Sequence, residues 1–462
     1  DRPLDETAYL GDDLRHGPTG LGDQRRIGGD AIHQSGGGEV LEDGGVCGVE
    51  EELHGRGFSE PERGAPPVSR IAAVLLPMPL PEAFDYAEPE GMGLAVGDHV
   101  AVPLGPRTSR GVVTSLRESA GGNRPLKPVL ERLDDPPLPE TTLRFVEWAA
   151  RYSVDLPGWP LAMALRGLRA PKPRPIKLLA ATGTAPARMT PAREKVLAAA
   201  AEGPLTGPDL AAKAGVGAGV VKGLLDEGCL ELRLHMPETR FAAPDTARPG
   251  PSLNASQAAA AGVLAGMVRE GGFQAALLDG VTGSGKTEVY LEAVAAALDA
   301  DPAAQVLVLL PEIALTQAVI ARFEDRFGVQ PAEWHSAVPP PRRRQVWEGV
   351  ATGRARIVVG ARSALFLPYR SLRLIVVDEE HDGSYKQEEG FIYQARDLAV
   401  ARASLEKCAV VLASATPSLE TLWNAEQGRY RWLRLAARHG ASELPDVTLI
   451  DMRETPPEPG RW

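Results

Sequence analysis

The stretch Gly280–Thr287, GVTGSGKT, constrains this chain more than any other. It fits the G-x-x-x-x-G-K-[ST] phosphate loop, with Gly280, Gly285, Lys286 and Thr287 in register. Such a loop needs a strand before it and a helix after it. Ala275–Asp279 is a short apolar run of strand length, and Glu288–Leu298 carries Ala, Leu and Val at helical spacing. Gly280, Gly283 and Gly285 let the backbone N–H groups around Ser284 turn inward on phosphate oxygens at a helix N-terminus. Lys286 is placed to reach the outer phosphates of ATP, and the Thr287 hydroxyl to ligate Mg²⁺.

A second motif completes the chemistry. Leu372–Val377 is a near-continuous apolar run, as a central parallel strand should be, and it delivers Asp378-Glu379-Glu380-His381 at its carboxyl end. Asp378 is the candidate Mg²⁺ ligand, Glu379 the candidate for orienting or deprotonating the attacking water, and His381 stands beside the nucleotide. Three more apolar runs read as strands of the same sheet: Gln305–Leu310 before LPEIALTQ, Ile357–Gly360 before ARSALFLP, and Ala409–Ala413 before SATPS. The expected fold is α/β, with a parallel sheet flanked by helices, and the expected activity is nucleotide hydrolysis.

The order of phosphate loop, TQ-type turn, GxRSA turn, DExH and SAT resembles that of superfamily 2 helicases. The longer wording, GVTGSGKTEVY, LPEIALTQ, WHSA, GARSALFLP, DEEHDGSYKQEEGFIYQARDLA and SATPSLE, is similar to the PriA-type replication-restart helicases, the family of primosomal protein N′. The resemblance spans roughly residues 69–462. It implies an ATP-dependent 3′→5′ DNA helicase that recognises stalled or abandoned forks and helps reload the primosome. It further implies Mg²⁺ and ATP as cofactors, and forked DNA, single-stranded DNA with a 3′-hydroxyl end, primosome proteins and single-stranded-DNA-binding protein as partners. By the same resemblance Gln257 stands where the family recognises adenine, and Arg362, Tyr385, Lys386, Phe391, Tyr393, Arg396, Ser414 and Thr416 contact the strand or couple it to hydrolysis. The loop around Tyr385–Tyr393 would sense single strands by stacking, worth ~1–3 kcal/mol per base.

Domain boundaries follow from shifts in composition. Residues 1–67 are Gly- and charge-rich with no sustained period, and read as a disordered extension or as translation from upstream of the true start. Residues 69–170 show short strands at Ile71–Leu76, His99–Val102 and Gly111–Leu116, then an amphipathic helix at Thr141–Arg151. Phe84-Asp85-Tyr86 reads either as a stacking platform bracketing a carboxylate or as two ordinary core rings. The family resemblance places a 3′-end pocket on Phe84, Asp85, Tyr86, Gly105 and Lys127. A linker is expected at 171–188. Helices at Ala192–Ala201, Gly207–Ala214 (N-capped by Thr206) and Ala218–Asp226, with a strand at Cys229–Leu234, suggest a winged-helix module over 189–236. Its third helix carries only Lys222 as a cation, which argues against base-specific groove reading. A second linker, 237–251, leads into the ATPase lobe at 252–462.

The net charge of −11 is unusual for a DNA-binding protein but leaves room for local basic surfaces. Cys47, Cys229 and Cys408 are scattered without a CxxC pair, which fits a reducing cytoplasm, and no run approaches the ~20 apolar residues of a membrane span. The chain stops at Trp462, before the family's second lobe, so its arginine finger and Zn²⁺-binding cysteines are expected to lie outside a fragment that cannot unwind DNA alone. Two alternatives stand beside the helicase: a fork-binding module with a vestigial or regulatory ATPase lobe, and a duplex-DNA translocase.

Overall fold

The computed structural model describes residues 70–118, 126–172, 175–235, 241–314 and 316–435. The expectations for residues 1–67, and those for the chain beyond 435, lie outside these segments. Five strands open the described chain: β1 (Arg70–Leu75), β2 (Phe84–Glu88), β3 (His99–Leu104), β4 (Arg107–Glu118) and β5 (Glu131–Arg132). They form an antiparallel sheet in the order β2-β1-β4-β3-β5. The sheet curls until its edges meet through residues 127–130. Ala87 N–H donates to Lys127 O and Val129 N–H to Ala87 O, while Leu130 N–H reaches Ala101 O on β3. A closed sheet has no bare edge to template aggregation. Two helices follow, α1 (Glu140–Tyr152) and α2 (Gly158–Ala164), then a 3₁₀ turn at Arg166–Arg169.

The next unit comprises β6 (Ile176–Ala181), α3 (Pro191–Ala201), β7 (Leu205–Thr206), α4 (Gly207–Ala214), α5 (Ala218–Asp226) and β8 (Leu230–His235). Thr206 caps α4, accepting from Asp209 N–H, and Thr190 caps α3 from Arg193 N–H. The sheet order is β7-β6-β8, so the middle strand is Ile176–Ala181, inside the stretch expected to be a linker. The prolines that mark residues 171–175 as extended do not carry on into IKLLAA, which pairs with β8 from Ile176↔His235 to Ala181↔Leu230. The second expected linker, where described (241–251), holds no helix or strand but is fastened to the lobe. Arg326 donates to Arg248 O at 2.5 Å and to Thr246 O at 3.5 Å, and Asp245 N–H donates to Phe327 O at 2.9 Å, strapping residues 245–248 to the lobe.

The lobe itself runs α6 (Ala255–Glu270), β9 (Gln274–Gly280), α7 (Lys286–Ala300), β10 (Gln305–Leu309), α8 (Gln317–Phe327), β11 (Ala332–Trp334), α9 (Pro340–Ala351), β12 (Ile357–Gly360) and β13 (Leu372–Asp378). A short pair, β14 (Lys386–Gln387) and β15 (Tyr393–Gln394), precedes α10 (Ala395–Glu406), β16 (Ala409–Ser414), α11 (Leu419–Glu426) and β17 (Arg431–Leu435). The seven-stranded sheet has the order β11-β12-β10-β13-β16-β9-β17 and every pair is parallel. The strands β9, β10, β12, β13 and β16 are largely buried on both faces, which is why they read as apolar runs. The strand β17, with its Arg-rich sequence, carries no such signal. Among the described residues no helix is long and apolar enough to cross a membrane.

The β-rich unit and the lobe share one core. Trp347 on α9 is fully buried and its indole N–H donates to Ala164 O at 2.7 Å. A Cβ on Gly167 would lie 2.4 Å from the Trp347 Cβ, so only glycine allows this approach. Arg344 donates to Ala170 O at 2.8 Å and to Asp135 at 2.5 Å. Arg402 on α10 reaches Thr142 and Leu365 O, and its guanidinium lies 5.0 Å from the Phe145 ring centroid.

His99 sits in this seam, edge-on to Trp347 with ring centroids 5.7 Å apart, its Nε2 bonded to Pro136 O at 3.0 Å. Burial, reinforced by the nearby Arg110 guanidinium, pushes its pKa down to about 4, against the opposing pull of Asp135 and Asp98. The unfolded chain therefore binds a proton that the folded one refuses between about pH 6.5 and 4, so stability is complete above 6.5 and falls as pH drops through that window. Urea unfolding at pH 7 and pH 5 should show a loss of roughly 2 kcal/mol attributable to this group. The His99→Gln variant should flatten that part of the pH dependence. An unchanged slope in the variant would remove His99 as the cause.

Candidate nucleotide and DNA-strand site

The phosphate loop lies between β9 and α7, with Gly283 and Gly285 in the left-handed region at φ +79° and +80°. At Gly285 a Cβ would also lie 2.3 Å from the Gln257 amide nitrogen, so this position excludes side chains twice over. Ser284 is buried and its hydroxyl has no hydrogen-bond partner among the described residues, an orphaned polar atom within the loop. Lys286 is buried, donates to Gly280 O at 2.9 Å and has its Nζ 3.7 Å from Glu379 Oε1. The loop and the carboxylate turn thus line one cleft of about 460 Å³, together with Gln257 and Arg322.

The parallel register places Asp378 at the carboxyl end of β13, opposite Ala413 of β16. Its pKa is pushed up to about 6, first by burial and then by the Glu379 carboxylate; the Tyr290 hydroxyl and the Lys286 charge oppose the shift. Tyr290 Oη donates to Asp378 Oδ2 at 3.0 Å. Burial, with the neighbouring Asp378 charge, holds the Tyr290 phenol far from ionising, so it stays a donor. Glu379 takes φ +47°, a conformation costly for a residue with a Cβ, which swings its carboxylate out toward Lys286 and His381. A divalent cation suits this donor set. It would relieve a buried carboxylate crowded by a second one, beside the Thr287 hydroxyl.

Gln257 is tied down at both ends of its amide. Its Oε1 accepts from Asn254 N–H at 2.8 Å in a capping box that starts α6, and its Nε2 donates to Ser284 O at 2.8 Å. It braces the phosphate loop in this structure. His381 Nδ1 shares a hydrogen bond with Ser414 Oγ at 2.7 Å, and Ser414 Oγ accepts from Thr416 N–H at 3.0 Å, which joins the DEEH and SAT turns.

The residues expected to contact the strand divide. Arg362 donates to Ser384 O and Lys386 O at 2.7 and 2.8 Å, pinning the loop after DEEH, and Lys386 is exposed. Tyr385, Phe391 and Tyr393 are 1, 3 and 4 % exposed. Phe391 and Tyr393 stack on each other at 5.3 Å and meet Phe366 edge-on. The expectation that these rings offer faces to bases is therefore corrected: their apolar surface is spent on the core of the lobe. Tyr385 Oη lies 2.6 Å from Asp378 O and 3.0 Å from Leu309 O, linking two strand ends. Arg396 is buried between Glu380 and Asp397 rather than facing solvent.

In the β-rich unit, Phe84 is 38 % exposed while Tyr86 is 5 % exposed and belongs to the barrel core with Val74, Leu94 and Val100. The two rings do not form one platform. Tyr86 Oη donates to Pro103 O at 3.2 Å, bringing β2 beside the turn that holds Gly105 at φ +59°. Asp85 pairs with Arg117 at the surface, and Lys127 lies exposed on the segment bonded to Ala87. Phe84, Asp85 and Lys127 are thus exposed, Tyr86 is inside the barrel, and the Tyr86 hydroxyl is what links β2 to the strand end beside Gly105. Tyr290 was not anticipated. It lies i+4 from Lys286, so helical period alone puts both on one face of α7.

Comparison with known proteins agrees with both units. Residues 256–424 match the DEAD/DEAH box helicase family and residues 73–166 the 3′ DNA-binding domain (3′BD) of PriA. The replication restart protein PriA of Haemophilus influenzae is 34 % identical over 398 residues, 83 % of this chain and 54 % of that protein. The PriA of Rickettsia felis is 47 % identical over 176 residues, 38 % of this chain and 27 % of its own length. The chain thus spans from a quarter to about half of the relatives it matches. A solved helicase domain, Hef of Pyrococcus furiosus, is 21 % identical with a TM-score of 0.29, covering 38 % of this chain and 37 % of that one. By the two family models and these relatives, the chain is similar to the PriA replication restart proteins across both its 3′ DNA-binding unit and its helicase lobe.

Proposed function

We propose that this chain carries the ATPase lobe and the DNA-end-binding unit of an ATP-dependent 3′→5′ DNA helicase that engages stalled or abandoned forks by a nascent 3′-hydroxyl end. The observation that supports this best is the meeting of Lys286, Asp378 and Glu379 in one cleft with a glycine loop at its floor. In this reading the loop N–H groups and Lys286 hold the phosphates of ATP. Thr287 and Asp378 hold Mg²⁺, which would neutralise phosphate charge when bound. Tyr290 keeps Asp378 oriented, Glu379 aligns water on the outer phosphate, and His381 with Ser414 and Thr416 passes the result to the strand surface, where Arg362 and Lys386 face DNA. The partners in this reading are forked DNA and the primosome and single-strand-binding proteins that act there.

Hydrolysis of ATP with and without forked DNA, by the full-length protein, tests the reading. Lys286→Ala should cut turnover by roughly 10²–10³-fold, the scale for losing one charge-stabilising donor, while fork binding persists. Near-normal turnover would sink the assignment of the loop. Glu379→Gln should trap bound ATP, because metal binding survives and water alignment does not. Tyr290→Phe should weaken Mg²⁺-dependent binding by up to about tenfold, the scale of one neutral hydrogen bond, with the fold intact.

The proposed end-binding pocket makes a separate prediction. Among the described residues the Asp85 carboxylate pairs only with Arg117, at the surface, so Asp85→Ala should leave the unit folded. It should abolish the preference for a 3′-hydroxyl over a 3′-phosphate junction, a roughly ten- to hundredfold effect in affinity. Lys127→Ala should instead weaken all ends alike and shallow the salt dependence by about one phosphate contact. Anisotropy at one fixed salt distinguishes the two, and equal binding of both ends by the unaltered protein would defeat the pocket.

A further inference from the structure

Glu380, the third residue of the DEEH turn, touches neither the phosphate loop nor the candidate metal ligands, yet it is fully buried. Its Oε1 accepts from Ser418 N–H at 2.7 Å. Its Oε2 accepts from the hydroxyls of Ser418 and Thr421, each at 3.1 Å, and faces Arg396 Nη1 at 3.4 Å. Ser418 is the N-cap of α11 and also accepts from Thr421 N–H, while Arg396 sits in the first turn of α10. The Glu380 N–H donates to Ala413 O at the end of β16. One carboxylate therefore joins the turn after β13 to the first turns of two helices. A buried carboxylate stays charged only when its oxygens are this well supplied, and a helix N-terminus is where a negative charge is favoured.

This link is separate from the contact between His381 and Ser414, which ends on the SAT turn. Glu380 bypasses that turn and grips α11 directly. On its outer face α11 carries Leu419 and Trp423, which are 83 and 57 % exposed and share one side of the helix at i, i+4 spacing. We infer that Glu380 is a positioning residue that transmits the state of the nucleotide site to α11. It lies one residue from Glu379 and two from Asp378, so any resetting of those carboxylates around Mg²⁺ and nucleotide moves a backbone that cannot shift without pulling Ser418 and Thr421 along. The inference rests on the proposed nucleotide site, and its test separates the two.

Hydrogen exchange across residues 418–426 of this chain is to be followed with and without Mg²⁺ and a slowly hydrolysed ATP analogue, alongside the affinity for that analogue. In the unaltered protein the analogue should change exchange in α11 by roughly tenfold. Glu380→Gln, which keeps the shape but loses the charge and one acceptor, should bind the analogue within twofold of normal while the response of α11 disappears. Thr421→Val, which removes one donor at constant shape, should reduce the response part-way at normal affinity, and stands in if Glu380→Gln does not fold. A full response in either variant overturns the inference. So does a loss of analogue affinity in step with the response, or failure of both variants to fold, since the carboxylate is then a support of the site and not a link from it. If the unaltered protein binds no analogue, the affinity arm records failure of the nucleotide-site reading itself, and the inference falls with it.

Discussion

The Asp378 carboxylate, buried at the end of the central strand, is the charge around which the lobe is organised. Burial and the Glu379 charge both oppose its ionisation, and an unsupported ion there would cost several kcal/mol. The structure answers with local donors. The Tyr290 hydroxyl and the Glu379 N–H both reach it, and Lys286 lies close enough to lower its pKa. The Tyr385 hydroxyl ties the adjacent backbone to the neighbouring strand at Leu309. These donors reduce the cost without removing it. What is left is an appetite for a cation, set by the same parallel sheet that points the turn toward the phosphate loop.

The second constraint is the seam between the β-rich unit and the lobe. Arg344 and Arg402 are almost wholly buried, and each is supplied from both sides of the seam. Separating the two units would break these charge-assisted hydrogen bonds and expose the buried Trp347 together. The β-rich unit therefore shares a frame with the cleft of the phosphate loop.

The sequence made the lobe legible for a physical reason. Parallel strands covered on both faces must be apolar throughout, so β9, β10, β12, β13 and β16 announce themselves to within about a residue. Motif residues at their carboxyl ends follow by register. What sequence could not supply was which side of a ring or strand is covered. Phe84 and Tyr86 share strand parity, yet Phe84 opens the strand at its exposed end while Tyr86 lies two residues further in, under the barrel. IKLLAA looked like linker because it follows a proline run, and only pairing with β8 over long sequence separation makes it a strand. Gln257 has the family's position, but the Asn254 three residues before it also spells a capping box, and the structure shows that second use.

The aromatic loop shows how magnitude decides between two uses of one residue. Withdrawing a buried Phe or Tyr from its core costs ~1.5–3 kcal/mol, and stacking on a base returns ~1–3 kcal/mol. For Phe391 and Tyr393, which also stack on each other and against Phe366, the exchange is close to neutral before the loss of those ring contacts is counted. For Tyr385, whose hydroxyl reaches two strand-end carbonyls, it is uphill. At the surface of this loop Lys386 and Ile392 are already exposed. Arg362 holds the backbone carbonyls on either side of Tyr385. A pull on Lys386 is thereby delivered to Tyr385 and, through its hydroxyl, to the backbone of Asp378. On this balance the rings stay inside the lobe, where Tyr385 is a stiff link between the loop and the carboxylate turn it follows.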